Sequence, residues 1–155
     1  MTSIIADDKG QIDMDLPEGS YDLVISAQGY LSMLLRGIGV LGGHRTDVLR
    51  GLVPGEGHGE DEPASTAVGG FIKDRLGHPL PNLLIQAVTR TTSITETGKV
   101  YAARTDKQGG YVIHGIGYGH YELVVRAAER FLTKEALEVM DNKHFVRKDV
   151  QLMGA

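Results

Sequence analysis

Residues 106–127 read DKQGGYVIHGIGYGHYELVVRA, and residues 8–27 read DKGQIDMDLPEGSYDLVISA. Both stretches alternate apolar and polar residues between glycines, a pattern typical of short antiparallel strands joined by tight turns. Residues that recur one hundred positions apart are Gly19/Gly119, Tyr21/Tyr121, Leu23/Leu123, Val24/Val124 and Ala27/Ala127. The chain therefore contains an internal repeat of strand-forming sequence.

The two copies of this repeat are unequal in length. Residues 67–105 precede the second copy and have no counterpart before the first. Between the copies lies an acidic stretch rich in glycine and proline, PGEGHGEDEPAST at 54–66, which disfavours both helix and strand. We predict a partial β-sandwich with only the later strands at 1–53, a linker at 54–66, and a complete β-sandwich at 67–155.

The spacing of the strand candidates defines the expected fold class. Strands that recur about every 8–12 residues are typical of an antiparallel sandwich. The seven candidates in the second copy are Phe71, Leu83–Val88, Val100–Ala103, Tyr111–Ile113, Tyr121–Val125, Leu137–Val139 and Phe145–Leu152. Residues 131–140 also have helix-favouring composition, so a short helix there stays open.

Alternation also predicts which residues are buried. In the first copy, Ile12, Met14 and Leu16 alternate with polar residues, and a second alternating run follows from Tyr21 to Ile25. We expect each run to form a strand. The core residues predicted for the second copy are Phe71, Leu84, Val88, Tyr111, Tyr121, Leu123, Val125, Val139 and Val150.

Three segments together resemble the carboxypeptidase regulatory-like domain: VGGFIKDRLGHPLPNLLIQAV at 68–88, RTDKQGGY at 104–111 and HYELVV at 120–125. They carry its order of motifs, D-x-x-G-x-P-L-P, T-D-x-x-G-x-aromatic and G-x-Y-x-L-x-V. The resemblance is complete over 67–153 and half-represented at 3–52. It implies an Ig-like, transthyretin-like (prealbumin-like) β-sandwich, a fold that most often serves as scaffold, spacer or binding module. The departure is Ala128–Phe131, where the family usually has Gly-Tyr.

Composition limits the class of protein. The chain has no cysteine, and hence neither a disulfide framework nor a thiolate site. We expect cytoplasmic synthesis without a signal peptide and no membrane insertion, because no leader-like or long apolar stretch is present. No basic run has interleaved aromatic residues, so nucleic acid is not expected as a partner.

Charge is distributed unevenly along the chain. Residues 1–53 carry four Lys/Arg and seven Asp/Glu, residues 54–66 carry four acids and no Lys/Arg, and residues 67–155 carry twelve Lys/Arg and nine Asp/Glu. This pattern is compatible with an ordinary solvated surface. It also permits contact between an acidic and a basic half, or between subunits.

Two motifs suggest cofactor or metal chemistry. Residues 37–42 spell G-x-G-x-x-G, but a dinucleotide site needs a strand before the motif and a helix after it, which this sequence does not predict.

Some non-haem iron dioxygenases share the sandwich and bind ferric iron through two Tyr and two His. The residues that could do so here are Tyr111, His114, Tyr118, His120 and Tyr121. Because Tyr121 has a counterpart in Tyr21, and the later His-rich segment has no equivalent, we predict a core tyrosine and surface histidines instead.

Two further chemistries known in related sandwiches are not expected. Transthyretin-like hydrolases end in Tyr-Arg-Gly-Ser, whereas this sequence ends in Gln-Leu-Met-Gly-Ala. The remaining histidines form no triad pattern with a serine and an aspartate: His44, His58, His78 and His144. A Lys–Asn isopeptide bond would need Lys73 on the first strand and an Asn on the last, but Asn142 lies in the preceding turn. We therefore predict no enzymatic activity, no catalytic, cofactor-binding or metal-binding residue, and no cofactor.

The favoured function is a non-enzymatic structural or assembly subunit that makes protein–protein contacts, such as a phage virion component of the capsid, neck or tail. The alternative is a ligand- or carbohydrate-binding module detached from a cell-surface protein, although the lack of tryptophan argues against sugar stacking. A half-sandwich at 3–52 is expected to expose a strand edge and an apolar face. The linker, the second domain or a neighbouring subunit could complete it, and we favour a neighbouring subunit, hence a homo-oligomer or larger particle.

Overall fold

The structure is a computed structural model that describes residues 3–45, 47–48, 51–59, 64–90, 100–128, 130–140 and 144–153. The described residues form strands and no helix, which confirms the predicted all-β class. Residues 130–139, for which a short helix was left open, are a strand. No described helix is long and apolar enough to cross a membrane.

The strands are β1 (Gly19–Ile25), β2 (Met33–Val40), β3 (Thr66–Lys73), β4 (Leu84–Thr89), β5 (Val100–Arg104), β6 (Gly110–Ile116), β7 (Gly119–Ala127), β8 (Arg130–Val139), β9 (Val146–Arg147) and β10 (Val150–Gln151).

Two sheets form the sandwich predicted for the second copy. One has the order β5-β4-β7-β8 and is antiparallel throughout. The other has the order β10-β3-β6, and β9 also pairs with β3. Strand β3 is antiparallel to β6 but parallel to β9 and β10, which departs from the purely antiparallel expectation.

The last predicted strand, Phe145–Leu152, is divided into β9 and β10. The interruption falls at Lys148 and Asp149. The carboxylate of Asp149 accepts the backbone N–H of Phe71 at 2.8 Å, while the N–H of Lys148 donates to the carbonyl of Gly69 at 2.9 Å. A side-chain bond therefore takes the place of one backbone bond, and the ladder splits there.

The hydrophobic core lies between the two sheets. Of the predicted core residues, six are buried: Tyr111, Tyr121, Leu123, Val125, Val139 and Val150. Phe71, Leu84 and Val88 are only half-buried. Their neighbours are buried instead, namely Ile72, Ile85 and Ala87. Because side chains alternate along a strand, an error of one residue in register reverses the buried face.

Strand β3 begins earlier than the sequence predicted. Thr66, which we assigned to the linker, is its first residue and is buried, and its hydroxyl donates to the carbonyl of His144. The pair Gly69-Gly70 lies inside this strand. A Cβ on Gly69 would lie 2.9 Å from Cζ of Phe145, and one on Gly70 would collide with the carbonyl of Lys148. Glycine is needed here because the chain before β10 crosses close to β3.

The first copy contributes the antiparallel hairpin β1–β2, in which Gly19 opposes Val40. Strand β2 contacts β3 and β6 on the side facing away from the sandwich core. Residues 11–16, predicted as a strand, form none. Their counterpart in the second copy is β6, which is held by β3. Among the described residues no strand pairs with 11–16 as β3 pairs with β6, and a strand without a pairing partner is not stable in water.

Two residues of the predicted linker contact the loop between β1 and β2. Pro54 forms a β-bridge with Tyr30, and His58 forms one with Ser32. The division of the chain into two units at 54–66 stays a prediction.

Candidate functional site

Both copies of the repeat contain the same tyrosine corner. The hydroxyl of Tyr21 donates to the carbonyl of Pro17 at 2.7 Å, and that of Tyr121 donates to the carbonyl of Gly117 at 2.7 Å. In each corner the glycine two residues earlier lies against the ring, where a Cβ would be 3.5 Å from Cε2 of the tyrosine. The recurrence seen in the sequence is thus a recurrence of local structure.

A second recurring element is a turn closed by aspartate, which occurs three times. In each turn the Asp Oδ1 atom accepts the backbone N–H groups two and four residues later, at 2.8–2.9 Å. The residue three positions after the aspartate is a glycine with positive φ, 75° to 89°, which L side chains disfavour. The turns are Asp7–Gln11, Asp74–His78 and Asp106–Gly110.

These turns correct one detail of the repeat. The sequence aligns Asp8 with Asp106, but the carboxylate that closes the first turn belongs to Asp7.

The backbone N–H bonds in these turns also change the pKa of the aspartate carboxyls. The N–H of His78 is the main cause that lowers the pKa of Asp74. Burial alone would raise the pKa of Asp106, but the N–H groups of Gly110 and Gln108, together with His44, outweigh it and lower the pKa.

The Tyr and His residues considered for iron binding do not converge. Tyr111 points into the core, where its hydroxyl donates to the carbonyl of Lys148 at 2.6 Å and burial raises its pKa. His114, three residues further along β6, points out of the sandwich, and its Nδ1 accepts the N–H of Gly39 at 2.9 Å. Tyr118 is 58% exposed. The exposed His120 lies 3.6 Å from Glu138.

Tyr121, the last residue of that set, is a core residue as predicted, 4% exposed and edge-to-face with Tyr101. Burial is the main cause that raises its pKa to about 12. Among the described residues, no group of three His, Cys, Asp or Glu could hold a metal ion.

The first two glycines of the G-x-G-x-x-G motif serve packing. Gly37 and Gly39 lie in β2, and no helix follows them within the described residues. A Cβ on Gly37 would lie 2.6 Å from the carbonyl of Thr66, and one on Gly39 would lie 2.5 Å from Cβ of Ala67. The motif therefore lets β2 lie directly on the outer face of β3 and β6.

The scattered histidines stabilise loops. Nδ1 of His78 lies 3.1 Å from Asp74, and Nδ1 of His58 lies 2.5 Å from the hydroxyl of Ser32. Nδ1 of His44 is 2.6 Å from Oδ2 of Asp106, and this contact is one of the causes that lower the pKa of Asp106.

The isopeptide pair considered from the sequence is Lys73 and Asn142. Lys73 is exposed at the end of β3, and Asn142 lies outside the described residues.

Arg147 links the hairpin to the sandwich. Its guanidinium lies 2.6 Å from Glu18 and 2.9 Å from Asp149, and it stacks 5.3 Å from the centre of the Phe71 ring. It borders a shallow depression of about 300 Å³ whose lining is Phe71, Lys73, Arg147, Asp149, Val150 and Gln151. The guanidinium itself is already bound to two carboxylates and has little left with which to bind an anion.

The candidate functional site is the open edge of β1, which we name the acceptor edge (Gly19–Ile25). Strand β7, the counterpart of β1, lies between β4 and β8, whereas β1 pairs only with β2 among the described residues. The difference shows in exposure. Val124 is 8% exposed, but Val24 is 64% exposed. Leu123 is fully buried, but Leu23 is half-buried. No described strand therefore fills the position next to β1 on the side away from β2.

No protein-family model matches the sequence, and no curated protein matches it. Among solved structures, the chain is similar to the dioxygenase domain of a dioxygenase carbohydrate-binding protein fusion from Streptomyces sp. SirexAA-E. The identity is 14% and the TM-score 0.43, over 57% of this chain and 79% of that one. It is also similar to a 9R-lipoxygenase from Cyanothece PCC8801, at 15% identity and TM-score 0.36, over 57% of this chain and 16% of that one. At these scores neither similarity bears on what this chain does.

Proposed function

We propose that the chain is a non-enzymatic structural module of the carboxypeptidase regulatory-like type, which makes protein–protein contacts within a larger assembly. The observation that carries the proposal is the acceptor edge. The same strand pairing occurs twice in one chain, and in the second copy the far edge is paired with another strand, β4, while in the first copy no described strand pairs with it. An exposed strand edge is a template for pairing with another chain.

The use of the polar side chains supports the same proposal. The hydroxyls of Tyr111 and Tyr121 each bond a backbone carbonyl, and His114 bonds the backbone of the hairpin. These groups hold turns and layers together, on different faces of the sandwich. Their arrangement is that of a scaffold, and their bonds would have to break before they could act on a substrate.

The charge pattern also favours contacts between chains. The hairpin half carries an excess of acids and the sandwich half an excess of Lys and Arg. Opposite charge on the two halves steers copies, or related subunits, toward one another.

The proposal is tested by co-expression with the products of the neighbouring genes, followed by light scattering on the purified material over a concentration series. We expect a particle heavier than the 16.7 kDa chain, formed by self-association or with one of those products. A monomer at all concentrations that holds about one iron or zinc per chain and turns over a substrate would refute it. The predicted place in a phage virion stays a prediction, for which the identity of those genes is the direct test.

A carbohydrate-binding module remains the second candidate, because one observation favours it. Tyr118 is 58% exposed in the loop between β6 and β7, where its ring is accessible for stacking on a sugar. Titration with soluble polysaccharides, followed by tyrosine fluorescence, tests this candidate. A response that is lost in Tyr118→Ala would favour it over the structural role.

A further inference from the structure

We infer that the acceptor edge binds an extended segment of a second polypeptide, which lies along β1 as β4 lies along β7. This inference rests on the proposed function and specifies its contact site. The segment has about six residues, with apolar side chains at alternate positions and a basic residue at its carboxyl end.

The equivalence of the two hairpins fixes the position of this segment. Gly19 opposes Val40 as Gly119 opposes Val139, and Tyr21 opposes Ile38 as Tyr121 opposes Leu137. Together with the two tyrosine corners, these pairs align β1 with β7 and β2 with β8 from Gly19 to Tyr21. Beyond Tyr21 the register of β1 against β2 shifts by one residue, whereas β7 and β8 stay in register as far as Val125. The position next to β1 on its open side is therefore the position that β4 occupies next to β7.

The second copy shows what a strand in that position provides. Ile85 and Ala87 of β4 point into the core beside Val125 and Leu123 and are fully buried. The backbone of β4 completes the outward hydrogen bonds of β7, and the N–H of Arg90 continues this ladder to the carbonyl of His120 at 2.9 Å. A strand that occupies the equivalent place on β1 would cover Leu23 and Ile25, which are now half-buried.

The outward backbone groups of β1 can be identified. The N–H of Gly39 points away from β1 toward His114, and Gly39 opposes Ser20. Ser20 and Gly39 are therefore a pair that does not exchange ladder bonds, so the backbone groups of Ser20 also point outward. The register shift between Tyr21 and Leu23 adds its extra residue to β2 and leaves β1 regular. By alternation along β1 the same therefore holds for Asp22 and Val24, as for His120 on β7. No described residue hydrogen-bonds the backbone groups on that open side.

The chemistry of the segment follows from the residues it would pass. Asp22 occupies the place of Glu122, which opposes Val88 of β4. Arg90 is two residues beyond Val88 and is therefore diagonal to Glu122 by register, a position where opposite charges attract, although these two side chains form no direct ion pair. The Asp22 carboxylate accepts the N–H of Gly37 at 3.4 Å through one oxygen, Oδ1. A basic residue at the same point of the incoming segment would lie diagonal to Asp22. This selects an apolar strand that ends in Lys or Arg.

The probe for the test is a labelled synthetic peptide of residues 82–90, NLLIQAVTR, titrated into the full chain and followed by fluorescence anisotropy. We expect saturable binding with one peptide per chain. A peptide of the same composition in scrambled order is the peptide control, because it retains the hydrophobicity and the charge but loses the order in which β4 presents its side chains to β7.

The matched variants are Val24→Pro and Val24→Thr. Proline removes the outward N–H at position 24 and is tolerated on an edge strand, whereas threonine keeps the N–H and the branched shape. We expect Val24→Pro to weaken binding about tenfold or more, and Val24→Thr to change it by less than about threefold. Far-UV circular dichroism checks that both variants keep the hairpin.

Amide hydrogen exchange on the unaltered chain gives a readout that depends on no variant. Addition of the peptide is expected to protect the amides of Ser20, Asp22 and Val24, while the ladder amides of Tyr21 and Leu23 change little. Protection at another surface, absence of saturable binding, or undiminished binding by Val24→Pro would each overturn the inference.

Two outcomes separate this inference from the proposed function. If the same amides become protected at high protein concentration without peptide, as the mass doubles, β1 pairs with β1 of a second copy. The named occupant is then wrong, but the structural role stands. Assembly with a co-expressed partner that is unchanged in Val24→Pro would likewise refute the site alone. If the chain neither binds the peptide nor assembles with any co-expressed product, both proposals fail.

Discussion

The backbone N–H of Gly39 donates a hydrogen bond to Nδ1 of His114 across 2.9 Å, and this bond joins the hairpin of the first copy to the outer face of the sandwich. A ring nitrogen that accepts an N–H carries no proton of its own, so His114 holds its proton on Nε2. The approach is possible because Gly39 has no side chain. The contact between the two copies is thus made by a backbone lying flat on a sheet.

The first prediction concerns this contact. Gly39→Ala places a Cβ 2.5 Å from Cβ of Ala67 and 2.8 Å from Cγ1 of Val112, so the hairpin must move. We expect a loss of about 1–3 kcal/mol in the free energy of unfolding, as for other overpacked sites, measured by urea denaturation. Gly42→Ala is the control, because its Cβ would meet only Glu18 Oε1 at 3.5 Å. Equal losses in the two variants would contradict the close approach of β2.

The second prediction concerns a buried hydroxyl at the start of β4. Thr105 is 5% exposed; its Oγ1 donates to the carbonyl of Leu80 at 2.7 Å and accepts the N–H of Leu83 at 2.8 Å. Thr105→Val keeps the shape and leaves the buried N–H of Leu83 and the half-buried carbonyl of Leu80 without this partner. We expect a loss of about 2–4 kcal/mol in thermal or urea unfolding. Thr133→Val, at a half-buried position of β8, is the control, and a similar loss there would count against the role of the hydroxyl.

Local signals made much of the fold predictable. Glycine and tyrosine at the corners, and the aspartate turns, act within five residues of one another, so the sequence alone reveals them. The register of β4 was not predictable in this way. Leu83, Leu84, Ile85, Ala87 and Val88 are all apolar, and a run without alternation does not show which side faces the core.

Glycines whose role is tertiary give no sign of that role in the sequence. Gly69 and Gly70 have low strand propensity, yet they lie in β3. Glycine is needed there because Phe145 and Lys148 cross above these positions and leave no room for a side chain. Gly37 and Gly39 spell part of a nucleotide motif but serve the approach of β2 to β3. The exposed edge of the hairpin was predictable in outline, since the first copy has no counterpart of β4. Its outward residues became identifiable only from the register of Ser20 against Gly39.

The third prediction concerns acid. The carboxyl of Asp106 has a lowered pKa in the folded chain, so the ionised form is bound more tightly there than in the unfolded chain. Its contribution to stability is therefore present above the ordinary value of about 4 and is lost as pH falls through the lower folded value. We expect the urea midpoint to fall on acidification across that window, and Asp106→Asn to flatten the dependence.

The control for this prediction is Asp8→Asn. The Asp8 side chain makes no hydrogen bond within the described residues, so we expect the acid dependence to be unchanged. A flattening of equal size in both variants would show that general charge repulsion, and not the turn at Asp106, governs the acid response.

The fourth prediction concerns alkali. Burial is the main cause that raises the pKa of Tyr121 to about 12, and Tyr101 adds to it. Because the folded value lies above the unfolded value of about 10, the neutral hydroxyl stabilises the fold below pH 10, and that contribution is lost as pH rises toward 12. We expect far-UV circular dichroism and tyrosinate absorbance to change together in this window. Ionisation of all six tyrosines with the dichroism intact would contradict the burial of Tyr121.

The last prediction uses the repeat as its own control. Tyr121→Phe and Tyr21→Phe remove the same hydroxyl from equivalent corners, each 2.7 Å from a backbone carbonyl. Tyr121 is 4% exposed, so its loss leaves the carbonyl of Gly117 poorly solvated, and we expect a cost of about 1–2 kcal/mol. Tyr21 is half-buried, and water can reach the carbonyl of Pro17, so its loss should cost less than about 0.5 kcal/mol. Urea denaturation of both variants, with Tyr118→Phe as an exposed reference, measures the difference. Equal losses would mean that the hairpin face is as well shielded in solution as the core, which would require another chain to cover the acceptor edge already.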